Sequence, residues 1–280
     1  MDRRIQAALP QVDLGVPEAW EAGEAADIRS WRTASGAVVK AALTTAASEG
    51  LAREAAVLAA LAGKIGALAV PRLLQIARMD NGLVASAQAM PDGSPLADFG
   101  LSRLPPKAWL RLGKFIAEVQ AAGPMAGTAL PTVGFSAVSL TGHMASFDTH
   151  IAPLVSPEEA RRADALFSKV LAEWRPSPPV LAHGSLTASC LLFDAREGRL
   201  TGAFGFTEAA LAPPAWDFRQ LELAQMAGAL AGYSLVPAPG MAAKMQVFRI
   251  IELTERMIQY PDKHRPAYLS SLREFLQDLE

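Results

Sequence analysis

Leu181-Ala182-His183-Gly184-Ser185-Leu186-Thr187-Ala188-Ser189-Cys190-Leu191-Leu192-Phe193-Asp194 is the stretch that decides the fold of this 280-residue chain. Two short apolar runs flank a polar loop that opens on His183-Gly184-Ser185. Read outward, residues 180–182, 191–193 and 200–206 form a small β island, with a tight turn over 194–198. Upstream, the pattern predicts a helix over 157–174 capped by Ser156. Another covers 105–122, with Pro105 or Pro106 in its first turn. From Pro214 onward the chain reads as helical, with breaks at 232–240 and 261–266.

The first ninety residues read differently. Residues 26–32 and 37–43 alternate as strands around Thr33-Ala34-Ser35-Gly36, and Val38 and Val39 add β-branching. A helix over 48–61 follows, with Ser48 as its N-cap and Leu51, Ala55, Leu58 and Ala62 on one stripe. Residues 71–79 and 83–90 then flank Asp80-Asn81-Gly82, and Asn-Gly between apolar runs is a hairpin signal. Met90-Pro91-Asp92-Gly93 ends this β-β-α-β-β unit. The expected division is a β-rich lobe over 1–90 and a helical lobe over 91–280, an α+β architecture.

Composition narrows the function classes. With 26 basic and 28 acidic residues the net charge is −2, and no block of like charge stands out. Nucleic acid is therefore not an expected partner. Gln11, Asp13 and Glu18 interrupt any apolar run after Arg3 and Arg4, so no signal peptide is expected. The apolar run from Ala55 breaks at Gly63-Lys64 and Gly66 before reaching spanning length, so no membrane partner is expected either. Cys190 is the sole cysteine, which precludes an intrachain disulfide and fits a cytoplasmic location.

The quoted loop resembles the catalytic loop of the aminoglycoside phosphotransferase and choline kinase family, which reads His-Gly-Asp, four residues, then Asn before an apolar strand. Gly198 to Phe206 resembles the strand that ends in that family's Ile-Asp-Phe. Ala212-Pro213-Pro214-Ala215-Trp216-Asp217-Phe218 resembles its Asp-Pro-x-x-Asp-Leu. Val38-Val39-Lys40 looks like the strand carrying a phosphate-binding lysine, and Arg53-Glu54 like the helix carrying its glutamate partner. The resemblance implies a two-lobed protein-kinase-like fold, with Lys40, Glu54 and Met90 positioned for ATP.

It also marks departures. Ser185 stands where the family has the Asp that orients the substrate hydroxyl. Cys190 stands for the Asn ligand of magnesium, and Gly205 for the metal-binding Asp. Phosphoryl transfer rests on positioning and on metal neutralisation of the triphosphate, and magnesium takes hard oxygen ligands. Residues 23–35 also hold no Gly-rich phosphate cradle. The expectation is a pseudokinase that binds, scaffolds or regulates. It requires no cofactor, holds any ATP without magnesium, and has a protein or small molecule as partner.

Individual residues are read against plainer roles. His183 is expected to hold the loop through backbone contacts, and Asp217 to cap a helix or tether the loop. Lys40 inside an apolar strand calls for a carboxylate partner, Glu54, whether as phosphate site or as structural pair. Cys190 is expected as a small core residue. Glu208, three residues past Gly205, and Asp217 are the candidates if the site has been rewired into an active small-molecule kinase, Glu208 being the better metal ligand of the two. A nucleotide sensor without turnover is the remaining alternative. Ser185 with His183 lacks the Gly-x-Ser-x-Gly elbow of a hydrolase.

Overall fold

The computed structural model describes residues 3–12, 18–19, 27–33, 35–99, 104–123, 129–261 and 264–279. The expectations for Ala26, for Ala34 in the first turn, for most of the phosphate-cradle stretch before residue 27 and for part of the 261–266 break lie outside them. The chain opens with α1 (Arg3–Ala8) and β1 (Glu18–Ala19), neither of which the sequence pattern announced. β2 (Ile28–Arg32), β3 (Ala37–Ala42), α2 (Thr45–Leu61), β4 (Arg72–Arg78) and β5 (Val84–Ala89) follow. The five strands form one antiparallel sheet in the order β1-β2-β3-β5-β4.

Side-chain alternation gives this sheet two different faces. Val39, Ala41, Ala85 and Ala87 point to the outer face, where Ile5, Leu9 and Val12 cover them. Lys40, Ser86 and Gln88 share the other face and are all buried. The β4–β5 hairpin closes as expected, with Asn81 Oδ1 accepting from Leu83 N at 3.1 Å. One expectation fails. Helix α2 starts at Thr45 and its cap is Thr44, whose hydroxyl accepts from Ala47 N at 3.2 Å. Ser48 sits inside the helix and accepts instead from Val84 N at 3.1 Å, pinning α2 to the start of β5.

Beyond β5 come β6 (Ser94–Pro95) and α3 (Pro106–Ala121), then α4 (Ala137–His150), which the pattern missed, and α5 (Pro157–Ala172). Ser156 caps α5 in a reciprocal box with Glu159, as its sequence predicts. The expected β island is in fact two sheets. β7 (Val180–Ala182) pairs with β10 (Ala210–Ala212), while β8 (Leu191–Asp194) lies between β6 and β9 (Arg199–Ala203). The reason is the loop between β7 and β8, which carries the chain off the first strand's edge. α6 (Leu223–Gly232), α7 (Met241–Gln259) and α8 (Arg265–Gln277) complete the chain. Pro266 lies in the first turn of α8 rather than in the break, where its missing N–H costs nothing.

The helical part packs around Phe115, Phe147, Phe167, Phe218, Phe248 and Phe275, all essentially without exposure. α3 and α6 meet backbone to backbone: a Cβ on Gly113 would lie 1.7 Å from the Ala229 carbonyl oxygen. The two parts are joined beyond the linker. Ala69 bridges Gly202, with Ala69 N donating to Thr201 O and Ala203 N to Ala69 O, both at 2.9 Å. Among the described residues no helix is long and apolar enough to cross a membrane.

Candidate functional site

Lys40 projects from the middle of β3 into the protein, so its ammonium needs a counter-charge. Glu54, completely buried on α2, supplies it: both carboxylate oxygens accept from Lys40 Nζ at 2.8 Å. The same carboxylate accepts from Gln88 Nε2 at 2.9 Å and from the backbone N of Phe206 at 3.1 Å. Arg53, one residue earlier, donates to Thr207 O at 2.8 Å. Helix α2 is therefore clamped to the turn that follows Gly205. Lys40 has three donors, of which Glu54 takes two. Beside it, Ser86 Oγ and Gln88 Oε1 are buried with no hydrogen-bond partner among the described residues.

The His183 loop is held from below by Asp217. Its Oδ2 accepts from His183 N at 2.8 Å and its Oδ1 from Gly184 N at 3.0 Å. Asp217 lies within a short 3-10 helix, Trp216–Phe218, and makes no cap. Of the two expected roles, tethering is the one present. Arg219 extends the support: it donates to the Gly184 carbonyl and, at 2.8 Å, to Glu252 Oε2, with its guanidinium over the Trp216 ring.

His183 is fully buried and packs 4.3 Å from the Phe206 ring. Ser185 N can only donate, so Nδ1 accepts from it at 3.4 Å, and Nε2 then carries the hydrogen and donates to Phe204 O at 3.0 Å. Burial holds the His183 imidazole below its usual value of 6.5. A group with a depressed folded-state pKa lends stability above 6.5, and that stability is lost as pH falls toward the folded value. Unfolding free energy should therefore decline below pH 6.5, by about 1.4 kcal/mol per pH unit at the steepest contribution from this group. Denaturant titrations from pH 7 to 5 should show a shallower decline in His183→Gln than in the wild type. Equal slopes would mean that the imidazole is not held neutral.

Ser185, Cys190 and Gly205 converge on this framework. Gly205 has φ 88° and ψ 48°, a left-handed backbone, and a Cβ there would lie 3.2 Å from Cys190 Sγ. Cys190 is half-buried rather than a core residue, because it faces this junction and not the apolar side of β8. Burial pushes its thiol up, so it stays protonated. Thr187 donates to its sulfur at 3.6 Å. The resemblance implies magnesium here, and the two ligand positions do not fit it: a neutral thiol and a residue without a side chain stand where hard oxygen ligands would be. Glu208 is exposed, and among the described residues no group of three His, Cys, Asp or Glu could hold a metal. Met90 is half-buried past β5, and Pro91 beside it has no N–H to offer a base.

The model for the phosphotransferase enzyme family matches residues 21–234. The chain belongs to that family. Similar solved structures agree in fold over nearly the whole chain. The GDP complex of wild-type aminoglycoside 2'-phosphotransferase-IIIa is 17% identical with a TM-score of 0.77, covering 99% of this chain and 97% of that one. Macrolide 2'-phosphotransferase from Brachybacterium faecium is 21% identical with a TM-score of 0.64, covering 97% and 98%. An ADP-bound aminoglycoside phosphotransferase is 15% identical with a TM-score of 0.64, covering 99% and 97%. No curated protein sequence matches the chain.

The structure thus brings Lys40, Glu54, His183, Cys190, Gly205 and Asp217 into one connected site, and leaves Glu208 and Met90 at its margins. Gln88 and Arg219 belong to it and escaped the sequence reading, and Arg53, read only as the neighbour of Glu54, ties α2 to Thr207. Gln88 carried one signal, a long amide inside a strand of otherwise small, mostly apolar residues.

Proposed function

We propose that this phosphotransferase-family chain is a cytosolic pseudokinase whose lobes, 1–90 and 91–280, frame a ligand-binding site without phosphoryl transfer. One observation carries the reading. The supports of the site are in place, from the Lys40–Glu54 pair to the Asp217 tether, while Ser185, Cys190 and Gly205 supply neither carboxylate nor metal ligand. Nucleotide, where it enters, contacts Lys40 through the donor that Glu54 leaves over, and does so weakly and without preference for magnesium. Partner choice then follows from binding, not turnover.

Calorimetric titration of ATP, with and without magnesium, tests this reading in the wild type and in a triple variant carrying Ser185→Asp, Cys190→Asn and Gly205→Asp. Aspartate is among the non-glycine residues that best tolerate the left-handed backbone at position 205. The wild type should bind both forms with similar, weak affinity. The triple variant should gain at least about tenfold for the magnesium form over the free form. Tight magnesium-dependent binding by the wild type would overturn the pseudokinase reading.

A further inference from the structure

A small cavity of about 40 Å³ lies between the end of α5 and the start of α7, lined by Phe135, Trp174, Arg175, Pro213, Met241 and Lys244 among others. It sits at the far end of the β7–β10 ladder from the His183 loop: Ala182 pairs with Ala210 and Val180 with Ala212, and the chain then turns away at Pro213. No residue of the Lys40 site lines it. Lys244 is only 6% exposed. Its ammonium belongs to the cavity wall, because both groups that touch it do: Nζ donates to the Arg175 carbonyl at 3.0 Å and stands 5.0 Å from the centre of the Trp174 ring. That carbonyl takes one of three donors, and among the described residues no carboxylate pairs with Lys244. Arg175 has no carboxylate either; its guanidinium donates to the Trp174 carbonyl.

A buried cation is ordinarily paired, and this one is placed where a charge of its sign is least welcome. Lys244 lies in the first turn of α7, at the positive end of the helix dipole, with a second cation at the cavity rim. Burial already holds its amine below the usual 10.5. Three positive influences thus meet with nothing negative to offset them, which an anion would supply. The walls choose the kind of anion. Phe135, Pro213 and Met241 offer apolar surface, suited to an alkyl group and not to a hydrated phosphate. The volume equals that of about three waters, so a carboxylate and one or two further carbons fill it. We infer that this cavity binds a short-chain monocarboxylate, its carboxylate on Lys244 and its alkyl end against Phe135 and Pro213.

Calorimetry on the full chain tests this with propionate, its neutral isostere propionamide and the longer hexanoate, at constant ionic strength set by chloride. Propionate should saturate one site, propionamide should give no heat, and hexanoate should bind at least about tenfold more weakly. Lys244→Met should weaken propionate by at least about tenfold, and Arg175→Gln by less. Lys169→Gln, in the last turn of α5, removes the same charge outside the cavity and should change nothing. Should Lys244→Met fail to fold by circular dichroism, Ala238→Leu, which fills the cavity from its own lining, carries the test with the same loss expected. Absence of saturable binding at about 50 mM propionate, or binding untouched by Lys244→Met or Ala238→Leu, overturns the site. Equal binding of propionamide overturns the assignment to an anion, and equal binding of hexanoate overturns the assignment to a short chain.

Discussion

Glu54→Ala should be the most damaging single change in this protein, lowering stability by about 3–5 kcal/mol. The carboxylate is fully buried and serves three partners at once: Lys40 Nζ, Gln88 Nε2 and the N–H of Phe206. Removing it strands a buried ammonium and a buried amide, and releases α2 from the turn after Gly205. For a chain of this size the melting temperature should fall by roughly 10 °C. The double variant Lys40→Met with Glu54→Gln removes both charges and keeps an oxygen for Phe206, so it should recover more than half of the loss. Thermal unfolding of wild type, Lys40→Met, Glu54→Gln and the double forms a complete cycle. A Glu54→Ala protein that melts like the wild type would show that the pair is solvated in solution, contrary to the geometry.

The second large effect belongs to Asp217. Asp217→Ala leaves His183 N and Gly184 N, two buried donors, without acceptors. Each such loss costs about 1–3 kcal/mol, so a fall of roughly 2–5 kcal/mol is expected. That exceeds what a lost helix cap would cost, about 1 kcal/mol, and the size of the effect discriminates between the two roles. Asp217→Asn retains one acceptor and should lie between. A loss below about 0.5 kcal/mol in Asp217→Ala would mean that the loop holds itself.

The fold was largely legible because its decisive signals are local. The apolar flanks of the His183 loop, the Asn81-Gly82 turn and the Ser156 cap each depend on a few neighbouring residues, and all three appear as read. Thr44 and Ser48 show where local reading stops. Both are good caps, and the choice was made by Val84, thirty-six residues away from Ser48, which claims the serine's oxygen. α4 was missed because its apolar residues form no clean stripe: only Leu140 and Phe147 are buried. Within the site, Lys40 announced itself by being a charge in an apolar strand. Arg219 did not, because a surface-type residue beside Trp216 becomes structural only once Glu252 and the Gly184 carbonyl arrive from elsewhere in the fold.

The contact of Gly113 with the Ala229 backbone has a mechanical meaning. Side chains between helices act as springs, since rotamers can yield; where Gly113 meets the Ala229 backbone and Gly232 the Leu110 backbone there is none, so α3 and α6 should shift together at these points. One end of α3 carries Gln120, which donates to Pro214 O at 2.9 Å, three residues before Asp217. Tyr233, just past α6, hydrogen-bonds the same glutamine. A displacement of either helix therefore reaches the foundation of the His183 loop through Gln120 and Tyr233.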